Sequence, residues 1–414
     1  MWVQYEDMVA DLDISELFFT RTDERGIIRS GNTVFQKISG FPWEELIGAP
    51  HKIVRHDAMP KGVFHLMWDY LKAGKPLAAY VQNQTKEGGQ YWVIAAALPV
   101  EGGYVSFRMK PSCGILKKIK PIYEELRARE KANDLTPEQS AQELTRHLGD
   151  LDYHCYDEFA AYALKEEVLS RDGLLGLEDD RVLQDLGRIL KDVRGLETSA
   201  GKVNKNFRAT HQIPYNMRLQ AGRLEGSDGP ISVISANHRQ MTQTLEEQLS
   251  RFSKESSLGA EQIRAGVFKT AVARLIGEVE IRVEQEEAPP GVDIADDLHL
   301  LQQMRQRFRK ESLQEVHVLA DNVRRFGNRC RDMRRLMSGL ELTRIMCKIE
   351  RSKFDGEHAG LDEIVNRLAD AQVSLNQNFD EILETVGRIV VLSEEIWRRA
   401  NSERRRFPRQ RRVA

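Results

Sequence analysis

Apolar positions divide this chain near Pro111: before it they come in short runs between turn formers, and after it most recur at intervals of three and four. The runs Leu17-Phe18-Phe19-Thr20, Tyr80-Val81-Gln82 and Tyr91 to Leu98 are bounded by Arg25-Gly26, Gly88-Gly89 and Gly102-Gly103, which predicts strands joined by tight turns. Asn32 to Ser39 and Pro60 to Ala73 have helical spacing, with Val63, Met67 and Leu71 on one face and Pro60 at a helix start. The order, a strand pair, short helices and then three strands, predicts an α+β unit: a five-stranded antiparallel sheet with short helices packed on one side.

Beyond Pro111, Leu116, Ile119, Ile122, Tyr123 and Leu126 mark a helix, and strand signals stop. Breaks are expected at Asp134 to Pro137, Gly226 to Pro230, Glu286 to Gly291 and Asp355 to Gly360, leaving long helices suited to hairpins or coiled coil. The chain is thus divided into a cap helix (1–14), the α+β unit (15–112), a connector helix (113–135), two all-α regions (136–285 and 286–397) and a basic, disordered tail (398–414). Apolar stripes from Leu116 to Leu126 and from Leu361 to Ile382 need partners, and a homodimer would supply them.

Composition narrows the setting. In 414 residues, 61 basic side chains face 63 acidic ones, so the chain as a whole has no attraction to nucleic acid. Only the tail is one-sided, with eight arginines against one glutamate after Trp397. Cys113, Cys155, Cys330 and Cys347 are isolated, which argues against disulfides or a zinc site and for a reducing, cytoplasmic location. The longest nearly apolar stretch, Tyr91 to Val100, is half of the roughly 20 residues that cross a bilayer, and the acidic start MWVQYEDMVADLD is unlike a signal peptide. No phosphate loop, histidine-kinase box or cyclase signature is present, and His147, His154 and Cys155 lack further ligands, so no enzyme is expected.

Six local patterns fall in one order: Asp23 to Ile28, Asn32 with Phe35, Ser39-Gly40-Phe41, Glu44 to Gly48, Val54-Arg55-His56-Asp57-Ala58-Met59-Pro60 with Trp68, and Tyr91-Trp92-Val93. From about Leu17 to Arg108 this resembles a PAS domain, in particular the input domain of aerotaxis receptors. The resemblance implies FAD held without a covalent bond between sheet and short helices. It implies Arg55, His56 and Asp57 at the entrance, Asn32 in the helical wall, and Trp68 and Trp92 as aromatic contacts, with Trp92 on the sheet against the ring. A covalent light-sensing flavin site needs a cysteine beside the ring, and Cys113 lies past the last strand. Haem through His65, or a cofactor-free scaffold for dimerisation, are the other readings.

The stretch Asn216 to Arg239 resembles the hairpin tip of methyl-accepting chemotaxis receptors, with Asn216, Leu219, Arg223, Ile231, Val233 and Arg239 at corresponding places. It departs from that pattern at Gln220, Gly222 and Ala236-Asn237. The resemblance implies a chemotaxis adaptor and histidine kinase as partners, and for the whole chain a redox or oxygen sensor. Gly339 to Glu350 followed by Leu361 to Leu375 could form a second hairpin.

Overall fold

The computed structural model describes residues 12–178, 180–210, 213–224, 229–286, 294–353 and 359–406. Most of the expected cap helix lies outside these residues, and residues 12–14 are not helical. The strands are β1 (Leu17–Asp23), β2 (Ile28–Gly31), β3 (Leu77–Gln84), β4 (Gln90–Val100) and β5 (Gly103–Met109). All pair antiparallel in the order β2-β1-β5-β4-β3. Between β2 and β3 come α1 (Thr33–Ser39), α2 (Trp43–Leu46), a 3-10 turn (His51–Val54) and α3 (Lys61–Lys72). Gly26 makes the β1–β2 turn at φ 76°, where a side chain would be strained, while Asp23 accepts the Arg25 and Ile27 amides.

Register assigns the two faces of the sheet, since alternate residues point to opposite sides. Phe18, Arg108 and Ala95 are cross-strand partners on one face, and Asn83 and Tyr91 follow at even spacing along β3 and β4. This inner face is covered by α1, whose Phe35 stacks on Phe18 with centroids 6.0 Å apart. Tyr80, Trp92 and Phe107 point to the outer face.

Helices α4 (Ile115–Lys131), α5 (Pro137–Asp150) and α6 (Tyr156–Leu174) do not leave the sheet. On the outer face, Tyr80 packs on Phe159 of α6 and donates its hydroxyl to Glu167 Oε1 at 2.7 Å. Glu167 also accepts the Ser112 and Cys113 amides at 2.5 and 2.9 Å, capping the start of α4. At the other end of α4, Glu130 accepts the Lys61 and Gly62 amides at 2.8 and 2.9 Å, capping α3 from a distant helix. Ile119, Tyr123 and Leu126 are thereby buried within the chain. The breaks before α6 and α7 were not expected; Asp152 and Gly176 stop the helices there in left-handed conformations.

The remaining helices are α7 (Arg181–Thr210), α8 (Ile213–Leu224), α9 (Pro230–Val283), α10 (Ile294–Arg351) and α11 (Ala359–Arg406). The chain forms two compact units, and their boundaries differ from the expected regions. One runs to Gly187 and takes up Arg264–Ser312; the other consists of Arg188–Ile263 and the chain from Leu313 onward. In the first unit, Arg171 of α6, 1% exposed, donates to Glu278 of α9 at 2.9 Å and to the carbonyls of Ile14 and Ser15.

The second unit is a four-rod bundle of α7 with α8, α9, α10 and α11. Asn206 meets Ser374, Gln262 meets Asn322, and a Cβ on Gly327 would lie 2.8 Å from Val386. Ile364, Val365 and Leu368 pack with Ile213, Met217, Ile231 and Ile234, so the stripe from which a dimer was inferred is largely covered by the chain itself. The tail differs from expectation as well: α11 continues through Arg406, and only its last residues lie outside the described ones.

Candidate functional site

The inner face of the sheet carries a buried cation. Arg108 is 8% exposed and lies between β1 and the 3-10 turn. Its Nη1 donates to Thr20 Oγ1 at 2.8 Å, its Nη2 meets His51 Nε2 at 2.8 Å, and its guanidinium lies 5.7 Å from the centre of the Phe18 ring. Because a guanidinium only donates, His51 Nε2 must accept, which leaves the proton on Nδ1. Burial, and then the charge of Arg108, hold His51 neutral well below its ordinary pKa. Burial likewise pushes Arg108 down to about 10.

No carboxylate forms an ion pair with Arg108 among the described residues. On the same face the Asn83 amide nitrogen and the Tyr91 hydroxyl are buried beside each other, and among the described residues neither makes a full hydrogen bond elsewhere. Burial raises the Tyr91 pKa, so the phenol keeps its proton and can donate. The face therefore offers hydrogen-bond donors and one positive charge between apolar walls. That is the complement of a planar, electron-rich group with acceptor edges.

Residues 30–107 match the family described as PAS fold. The unit carries a PAS domain. Over 112 residues the chain is 40% identical to the aerotaxis receptor of Escherichia coli, a stretch that is 26% of this chain and 22% of that protein. The PAS domain of a Colwellia psychrerythraea protein matches at 18% identity over 23% of this chain and 85% of that one, with TM-score 0.20. A fungal LOV domain photoreceptor matches at 16% identity over 26% and 81%, with TM-score 0.21.

The inner face of the PAS sheet does not carry all the residues expected there. Trp92 differs from the expected placement: it pairs with Gln82 on the outer face and packs on Tyr123 of α4 at 6.3 Å, with Lys120 over its ring. Its neighbour Tyr91 is the aromatic residue that faces inward. Asn32 sits before α1 without capping it; its amide donates to the Leu17 carbonyl at 3.1 Å and its oxygen accepts the Phe19 amide at 3.2 Å, so it clips α1 to β1.

Arg55, His56 and Asp57 stand together ahead of α3. Arg55 lies 3.6 Å over the Phe64 ring, His56 Nδ1 accepts the Ala58 amide at 3.1 Å, and Asp57 is exposed, its carbonyl accepting Arg127 Nε at 2.8 Å. Trp68 crosses Tyr104 edge-on at 5.5 Å, beside Gly26. His65 pairs with Asp69 at 3.3 Å on the partly exposed side of α3. Cys113 is held near Tyr80 and Glu167, and burial pushes its thiol up to about 11. Sequence reasoning missed His51, Asn83, Tyr91 and Arg108; an arginine inside the apolar run of β5 was the available signal.

The tip residues are placed on a hairpin of α8 and α9. Ile231 is in its core, while Asn216, Leu219, Val233 and Arg239 are exposed. Arg223 is on α8, its side chain outside the described residues, as is most of the turn.

Proposed function

We propose that the PAS cleft binds FAD and that the chain is a non-catalytic redox or oxygen sensor feeding a chemotaxis-like output. The observation that carries this reading is the inner-face donor set, in which Arg108 has no carboxylate among the described residues and the buried Asn83 amide and Tyr91 hydroxyl have only each other nearby. Arg108 and Asn83 would donate to acceptor edges of the ring, Tyr91 and Phe18 would flank it, and Arg55 at the mouth would meet the pyrophosphate. Bound FAD supplies a redox centre whose charge and protonation change on reduction. His51, neutral and held by Arg108, can respond by turning when Arg108 is drawn toward the ring. The absorption spectrum of the purified chain tests this. Blue-absorbing flavin bands are expected; a Soret band would indicate haem, and protein that is colourless and takes up no FAD on titration overturns the proposal.

Output is proposed to pass through α6. Glu167 holds the sheet residue Tyr80 and the start of α4, and one turn later Arg171 holds Glu278 on α9, a helix that continues unbroken to Pro230. A bias of a few kcal/mol between two packings of these helices suffices to repopulate them. The exposed tip residues of α8 and α9 would then meet the adaptor or kinase. Hydrogen exchange on oxidised and dithionite-reduced protein is expected to change protection in α6 and α9 peptides. Changes confined to residues 15–110 would remove the output from the proposal and leave FAD binding intact.

A further inference from the structure

The core of the second unit contains a pocket with walls from all four rods, among them Phe207 of α7, His238 and Thr242 of α9, Met337 of α10, and Gln372 and Leu375 of α11. His238 and Gln372 are 2% and 7% exposed, and Nε2 of each has no hydrogen-bond partner among the described residues. Unpaired buried polar atoms are expensive, and two on one pocket ask for a common partner.

Their neighbours fix what each side chain presents. Thr242 donates its hydroxyl to the His238 carbonyl at 2.8 Å, so at its 3.3 Å contact with His238 Nδ1 the hydroxyl oxygen can only accept. The ring proton is therefore on Nδ1 and Nε2 is a lone pair. Burial keeps the ring neutral, its pKa pushed down to about 4. Arg344 Nε donates to Gln372 Oε1 at 3.1 Å; because a guanidinium has no acceptor, the amide cannot be flipped, and its NH2 group is the unpaired end. One acceptor and one donor thus share an otherwise apolar pocket with space for about one water molecule. An anion would meet the His238 lone pair, and a cation the Gln372 hydrogens.

We infer that this pocket is a binding site for one neutral hydroxyl group, which donates to His238 Nε2 and accepts from Gln372 Nε2. A pocket of this size holds that hydroxyl as a water molecule, and the site is independent of what the PAS cleft holds. Nitrogen-15 spectra of histidine-labelled full-length protein should report the Nδ1-protonated tautomer at His238 with Nε2 accepting a hydrogen bond. Water-edited NOE spectra should show a cross-peak from bound water to the His238 ring. A proton on Nε2 at neutral pH, or no water cross-peak, overturns the inference. His238→Leu and Gln372→Leu should each lower Tm, and the double variant should recover most of the loss. Additive losses would equally sink it.

Discussion

Arg108 is an unpaired cation on the inner face of a sheet, a position that costs stability unless a ligand answers it. Arg108→Met should therefore have two opposite effects. FAD affinity should fall about 10- to 100-fold, from the loss of a charge-assisted hydrogen bond, as titration would show. The flavin-free protein should melt higher than the flavin-free parent, because a desolvated charge is gone; an unchanged affinity would detach Arg108 from the ligand. The run Val105-Ser106-Phe107-Arg108-Met109 displays this cation in plain sequence, but not that it points inward. Tyr91 and Trp92 make the same point. Period-two alternation separates them to opposite faces, yet where a sheet is covered on both sides, either parity has an apolar face to offer. Only the packing of α4 against Trp92 decides which aromatic faces the cleft.

At the scale of elements, α3, α4 and α5 are joined by backbone rather than by apolar contact alone. A Cβ on Gly62 would lie 2.5 Å from Ser140 Oγ and 2.7 Å from the Ala141 nitrogen, so α3 and α5 approach closely only because that position is bare. Gly62→Ala should cost about 1–3 kcal/mol by urea unfolding, despite alanine's better helix propensity. Glu130→Gln keeps the shape but weakens the cap on α3 and the pairing with Arg127, and should cost about 0.5–2 kcal/mol. Because the lost cap sits at the start of α3, this variant should change protection first in the peptide following Asp57. Helical character beyond Pro111 was legible from spacing, but the breaks before α6 and α7 were not. The helices' partners were not, because a stripe such as Leu361 to Ile382 states that something must cover it without stating whether the cover is the same chain or another.

For the whole molecule, stability should depend on pH through the buried His238. His238 has an ordinary pKa of 6.5 when unfolded and about 4 when folded, so between these values the unfolded chain binds more protons. Its neutral burial therefore does not penalise folding above pH 6.5, and about 3 kcal/mol is lost as pH falls from 6.5 to 4. Urea midpoints of the parent chain and of His238→Leu, compared at pH 7.5 and pH 4, isolate this effect; a parallel decline in both would assign the loss elsewhere.

The division into units was the least legible feature, since no composition shift marks Gly187 or Arg264 within continuous helical spacing. It has a consequence for how the protein is made. The PAS-bearing unit draws on Arg264–Ser312, so a ribosome that has finished Gly187 must add about 125 more residues before that unit is whole, on the order of 6–25 s at ordinary elongation rates. During that interval Arg171 and Arg21 have been synthesised, but their carboxylate partners Glu278 and Asp297 have not. These two ion pairs must wait for a later stretch of the same message, so the unit is completed only after much of the second unit's chain has been made.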